Sequence, residues 1–172
     1  MDSGNETPRT LNAKRVPMFQ RRRLPAPKRI KVLLVDDHAL TLEALRHYFS
    51  RRSRFAVRSL VLDGTAALQR VRSAPPDVVI MNMHMAQLDG ARATKLLLQT
   101  FPKAKVIGFS GLEERKAVLS AIRAGARGYL LKARSSRELF QAVDQVNRGE
   151  VFFSPPISKM IEDAVHFVIF IG

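Results

Sequence analysis

The sequence predicts an α/β protein, a doubly wound five-stranded parallel sheet with five helices. Three observations predict it. Short β-branched runs alternate five times with segments whose apolar residues recur every three or four positions. Runs such as Asp77-Val78-Val79-Ile80-Met81 are apolar on both faces, as strands buried between helical layers must be. Proline and glycine punctuate the junctions. Such alternation closes as a parallel sheet, and right-handed crossovers leave few topologies for it.

The first strand is Ile30-Lys31-Val32-Leu33-Leu34-Val35, ending at Asp36-Asp37-His38. Leu40, Leu42, Leu45, Tyr48 and Phe49 give the first helix its expected apolar stripe. Phe55-Ala56-Val57 with Leu60-Val61 forms the second strand, and Thr65 to about Val71 the second helix. Pro75-Pro76 breaks the chain before the third strand, 77–81. A helix over 91–100 stops before Pro102. The fourth strand is 105–109, and a helix from Glu113 to Ala124 stops at Gly125. Gly128-Tyr129-Leu130-Leu131 is the fifth strand. Ser135 and Glu138 read as the capping box of a last helix that runs to Asn147, before Gly149.

Composition bounds the function. The chain has 172 residues, with 29 Lys+Arg, 15 Asp+Glu and a net charge of +14. Apolar residues make up 46%, enough for a core, and there is no cysteine. That excludes a disulfide scaffold, a thiolate zinc site and a cysteine nucleophile. No stretch reaches the roughly 20 apolar residues of a membrane span, and the N-terminus has no signal-peptide core. A cytoplasmic location is the expectation. Residues 1–29 carry eight basic and two acidic side chains, four prolines and the run Arg21-Arg22-Arg23. This reads as an extended basic arm suited to a polyanion such as nucleic acid, or as a solubilising tail. Residues 30–154 are the folded domain; 155–172 are a linker helix and an apolar tail.

In open parallel sheets the working site lies beyond the carboxyl ends of the strands. Those ends deliver Asp36 and Asp37 from strand one, Asn82 from strand three, Ser110 from strand four and Lys132 from strand five. Two carboxylates suit a hard divalent cation, and a lysine with a hydroxyl suits a small anion. The plainer reading gives Asp36 and Asp37 as loop residues without metal, Ser110 as a helix cap, and Tyr129 as sheet packing. On either reading Lys132 is expected to pair with Asp36 or Asp37. Met81, Met83 and Met85 read as core and loop packing.

The segment from about Ile30 to Phe153 resembles the receiver domain of bacterial two-component response regulators, most closely the NarL/FixJ class, whose fold is flavodoxin-like. The phrases that carry it are Val35-Asp36-Asp37-His38, Met85-Ala86-Gln87-Leu88-Asp89-Gly90, the run Ala124 to Lys132, and Gly149 to Pro155. The resemblance implies that Asp36, Asp37 and the backbone carbonyl of His84 match the Mg²⁺ ligands. It implies that Ser110 and Tyr129 match the switch residues and Lys132 the phosphate-binding lysine. Asn82 falls where the family has the aspartate that a partner histidine kinase phosphorylates.

Asn82 departs from that pattern in a way that changes the chemistry. An acyl phosphate needs an attacking carboxylate, and a neutral amide is a poor nucleophile. Ala86 also stands where the family usually has proline, so the loop departs twice, as natural degeneracy would leave it. Losing a carboxylate relieves like-charge repulsion worth about 4 kcal/mol per contact at ~4 Å and an effective dielectric of ~20. It also removes one anionic ligand, so Mg²⁺ is expected to bind weakly or not at all. The Asn82 amide is expected to hydrogen-bond Lys132 or Asp37 and hold the pocket in one state.

The expected function is a degenerate receiver that is not an enzyme and works by protein–protein contact in transcription regulation. The partner is a regulator, a kinase or a second copy, docking on the fourth helix, fifth strand and fifth helix, which the resemblance implies are the signalling face. Arg115, Lys116, Arg123, Arg134 and Arg137 make that face basic, so an acidic partner would suit it. Eighteen residues follow Ser154, too few for the helix-turn-helix module usual in NarL/FixJ regulators. The apolar end, Val165 to Ile171, is expected to add as a strand or to pack on a partner. The alternatives are a nucleic-acid binder using Arg21, Arg22 and Arg23, or a truncated DNA-binding regulator.

Overall fold

The computed structural model describes residues 28–111, 113–133 and 136–171, with side chains as far as residue 163. The expectations for Arg21–Arg23, Arg134 and the Ser135 cap lie outside the described residues. The elements follow one another as β1 (Ile30–Val35), α1 (Ala39–Ser50), β2 (Phe55–Val61), α2 (Gly64–Ser73), β3 (Val78–Asn82) and α3 (Gly90–Thr100). β4 (Val106–Ser110), α4 (Arg115–Arg123), β5 (Gly128–Leu131), α5 (Ser136–Arg148), β6 (Phe152–Phe153) and α6 (Pro155–Ile171) complete the chain.

All strand pairs are parallel, in the order β2-β1-β3-β4-β5-β6. The alternation of strand side chains splits the core into two layers. Val32 and Leu34 of β1 join Leu42, Leu45 and Phe49 of α1 and Leu139, Val143 and Val146 of α5 on one face. Leu33 and Val35 join Ala67 and Val71 of α2, Leu97 of α3 and Val118 of α4 on the other. Strands buried on both faces explain the continuous apolar runs in the sequence.

Among the described residues the sheet has six strands, one more than expected, and α6 falls where a linker helix is expected. Phe152 and Phe153 pair with Gly128 and Tyr129, but two residues are too few to show any period. Their polypeptide returns to the sheet after Gly149, which at φ +94 supplies the left-handed turn that ends α5. The segment set apart at 155 begins as part of the core: Ile157 is fully buried, and Met160 and Ile161 pack on the same cluster. The apolar end continues the helix of α6 to Ile171, so the expected added strand is not formed.

Helix starts also shift. α2 begins at Gly64 because Asp63 caps it, accepting from the Ala66 N–H at 2.8 Å. α4 begins at Arg115 instead of Glu113, with Glu114 at the N-cap, so Ser110 does not cap it. In α1, Leu40 and Tyr48 are exposed and only Leu42, Leu45 and Phe49 are buried. The buried stripe is narrower than the sequence suggests because α1 covers an edge of the sheet.

Candidate functional site

The strand order reverses between β1 and β3, so the crevice for a ligand opens at their carboxyl ends. Register delivers the residues. Val35 lies beside Met81, which brings the next residues, Asp36 and Asn82, to the same level. Asn82 in turn lies beside Phe109, and Ser110 beside Leu131, so Lys132 follows at the same edge. The β3–α3 loop folds back tightly: a Cβ on Gly90 would sit 2.1 Å from the Asn82 carbonyl oxygen. Only glycine permits that approach, and it fixes the loop against the end of β3.

Asn82 is buried, and its amide is the hub of the pocket. Its Nδ2 donates to the His84 carbonyl at 2.7 Å and to Asp37 Oδ1 at 2.9 Å, with Asp36 Oδ1 at 3.4 Å. Its Oδ1 accepts from the His84 N–H at 3.3 Å. Lys132 Nζ pairs with the other oxygen of Asp36 at 2.6 Å. Asp36 is almost fully buried, at 1% exposure, and also accepts from the His38 N–H at 2.9 Å. Among the described residues no buried side-chain nitrogen or oxygen lacks a partner.

Asp37 sits nearer the solvent. Burial pushes its carboxyl up, but hydrogen bonds from the backbone N–H groups of Ala86 and Asp37 and from the His38 and Asn82 side chains outweigh that. The net effect holds its pKa below the ordinary carboxylate value. His38 places Nδ1 3.0 Å from Asp37 and 3.3 Å from Asp36.

Ser110 shares a hydrogen bond with His84 Nδ1 at 3.2 Å, a contact with the side chain that sequence reading did not anticipate. Tyr129 is fully buried. Burial raises its pKa, a hydrogen bond with Ser110 lowers it in part, and the charge of Glu114 raises it further. The ring lies over Gly108, where a Cβ would come within 3.0 Å of it. His84, Ser110 and Tyr129 thus form one hydrogen-bonded file from the exposed loop into the sheet.

The oxygens expected to hold a divalent cation are Asp36, Asp37 and the His84 carbonyl. A magnesium ion requires about 2.0–2.1 Å to each oxygen. Here the three lie 2.7–3.4 Å from one amide nitrogen, that of Asn82, and ligand atoms of Asp36, Asp37 and His38 lie within 4.8 Å of one another. On the docking side, Arg115, Lys116 and Arg123 are exposed on or at the ends of α4. Arg137 does not join them; it lines a cleft with Arg52 and Phe140, between α5 and the α1–β2 turn.

Residues 32–144 match the family described as the response regulator receiver domain. The response regulator protein VraR of Staphylococcus aureus is 33% identical over 128 residues, which cover 74% of this chain and 61% of that protein. The chain therefore spans about three-fifths of the length of the curated relatives it matches. A two-component response regulator of the LuxR family from Aurantimonas sp. superposes with a TM-score of 0.76 at 30% identity, over 80% of this chain and 99% of that one. The NarL signal receiver domain from Mycobacterium tuberculosis gives a TM-score of 0.68 at 29% identity, over 72% and 100%. No helix among the described residues is long and apolar enough to cross a membrane. With the sheet order, the acidic pair after β1 and the lysine after β5, these likenesses establish that the chain belongs to the response regulator receiver domain family.

Proposed function

We propose that this chain is a degenerate receiver of two-component signal transduction that acts through phosphorylation-independent protein–protein interaction in transcription regulation. The observation that supports this reading is the Asn82 amide, donating to Asp37 at 2.9 Å and to the His84 carbonyl at 2.7 Å. By resemblance Asn82 stands at the phosphoacceptor position. The amide offers no carboxylate to attack phosphorus, and its N–H₂ group takes the oxygens a cation would need. On this reading the chain is not an enzyme, Mg²⁺ binding is weak or lost, and the protein is cytoplasmic. The pocket is held in one state by its own side chains. A regulator, a kinase or a second copy docks on α4, β5 and α5, where exposed arginine and lysine favour an acidic partner surface.

Incubation with acetyl phosphate and Mg²⁺, followed by intact mass, tests the reading. The expected result is no change in mass. A labile gain of one phosphoryl group mapped to Asn82 or its neighbours overturns it. A second reading, nucleic-acid binding through Arg21, Arg22 and Arg23, is favoured by the net charge of +14. Salt-dependent binding to random DNA that disappears on deleting residues 1–29 is its expected signature.

A further inference from the structure

A basic concavity lies away from the acceptor pocket, along the β2 edge of the sheet. Among the described residues β2 pairs with β1 alone, which leaves its outer edge without a strand partner there. A groove of about 840 Å³ runs beside it, formed by β2, the end of α1 and the residue before β1. Five arginines line it: Arg29, Arg46, Arg51, Arg52 and Arg58. No acidic residue does.

The charges of this groove are largely unspent. Arg46 pairs with Glu43 on its own helix. Arg29, Arg51 and Arg58 make no ion pair with any described residue. Arg52 lays its guanidinium over the Phe140 ring, 5.3 Å from the centroid. That stacking steadies the group while leaving its N–H edge free for an anion. A helix C-terminus favours nearby cations, which accounts locally for Arg51 and Arg52. It does not account for Arg29 or Arg58, which come from strand ends and interiors.

Arg58 points to the kind of ligand. Val57 pairs with Val32 and Ser59 with Leu33, so Arg58 is the extra residue of a bulge in β2. A bulge with a charged side chain blunts an edge against the addition of another strand. The groove is therefore suited to side-chain contacts with a polyanion and not to strand pairing. A second copy meeting the chain through this same groove would set its arginines against like charge. The groove floor also carries Phe49, Phe55, Val57 and Leu60, but its charged groups are all guanidiniums, the side chain best matched to the phosphates of a phosphodiester backbone.

We infer that the β2-edge groove is a nucleic-acid phosphate-backbone site, independent of the acceptor pocket. It reads no sequence, and Arg29, Arg51, Arg52 and Arg58 are its contacts. The site extends the folded domain's role beyond protein docking.

The test is fluorescence anisotropy of the full chain with a labelled random-sequence DNA duplex, repeated across a salt series. The double variant Arg51→Glu with Arg58→Glu is compared with Lys95→Glu and Lys103→Glu, exposed lysines on α3 and before β4 that change net charge equally. The groove variant is expected to lose at least tenfold in affinity and to flatten the salt slope by about 1.8, two phosphate contacts' worth. The control pair is expected to lose less than about threefold, by long-range charge alone. Arg51→Gln with Arg58→Gln replaces the reversal if circular dichroism shows the latter unfolded. Equal losses in the two pairs, no loss in the groove variant, or no binding at all overturns the inference. Displacement of the duplex by polyglutamate at equal charge concentration also overturns it, in favour of an acidic polypeptide.

Discussion

The backbone N–H of Ala86 donates to Oδ2 of Asp37 at 3.3 Å. The other oxygen of that carboxylate receives Nδ2 of Asn82 at 2.9 Å. Proline, usual in the family at the Ala86 position, has no N–H to give. On the proposed reading, the two departures that the resemblance implies act on the two oxygens of one side chain. This gives a physical reason for them to occur together: each supplies a donor that a metal-bound, proline-bearing pocket would not have.

Those donors hold the pKa of Asp37 below its ordinary value of 3.8 despite burial. A folded pKa lower than the unfolded one means the native state binds fewer protons in the window between them. Asp37 therefore adds stability above 3.8, and that contribution is lost as pH falls through the lowered folded value. Denaturant titrations from about pH 6 to about pH 2 are expected to show a shallower acid limb in Asp37→Asn than in the native chain. Identical acid limbs in the two proteins would contradict the hydrogen-bond account.

Asn82→Asp replaces the central donor by a third carboxylate beside Asp36 and Asp37. Without divalent cation it is expected to cost about 2–4 kcal/mol at neutral pH, from repulsion and two lost hydrogen bonds. Mg²⁺ should then raise the melting temperature of the variant and leave the native chain unmoved. The variant, and not the native chain, is expected to gain one phosphoryl group from acetyl phosphate. A variant that melts like the native protein and ignores Mg²⁺ would show that Asn82 is not what closes the site.

Lys132→Met leaves the Asp36 carboxylate, 1% exposed, without its ion partner. Breaking a fully buried pair costs about 3–5 kcal/mol. Lys132 is 26% exposed, and the His38 N–H still donates to Asp36, so about 2–3 kcal/mol is expected from urea unfolding. Adding Asp36→Asn to Lys132→Met should recover part of that loss, because no unpaired charge then remains buried. Failure of the double variant to recover any stability would argue against the pair as the cause.

Tyr129 and Tyr48 are the two tyrosines of the chain, so Tyr48→Phe isolates the buried one. Burial raises the Tyr129 pKa above 10.0, with the Ser110 hydrogen bond opposing and Glu114 reinforcing the rise. The sign is that of a group kept neutral by folding. Its stabilising contribution is complete below 10.0 and is lost as pH rises through the raised folded value. Absorbance titration of Tyr48→Phe is expected to show phenolate appearing late and together with unfolding. A reversible titration at 10.0 in a folded protein would show that the ring is open to solvent.

The order of strands and helices was legible because it is written in local pattern: apolar runs of four to six residues, helical spacing, and proline or glycine at the joints. The same pattern placed Asp36, Asp37, Asn82, Ser110 and Lys132 at strand ends. It failed where the signal is too short or too general. Phe152–Phe153 has no period to show, Leu40 looks like any core leucine, and the apolar end of α6 is equally consistent with strand or helix. Arg137 belonged by sequence to the docking helix, and its neighbours place it beside Arg52 and Phe140.

The amino-acid sequence alone determined the fold class and the inventory of groups at the sheet's edge, with an amide at position 82 among them. Each of these is a property of a residue type or of a short window. The tertiary structure decided which groups meet. Asn82 reaches Asp36 across 46 residues and Lys132 reaches Asp36 across 96. Arg29, Arg51 and Arg58 share a groove only because β2 takes the sheet's outer position. Such contacts depend on strand register and on chain closure over long loops, and no local pattern of side chains encodes either.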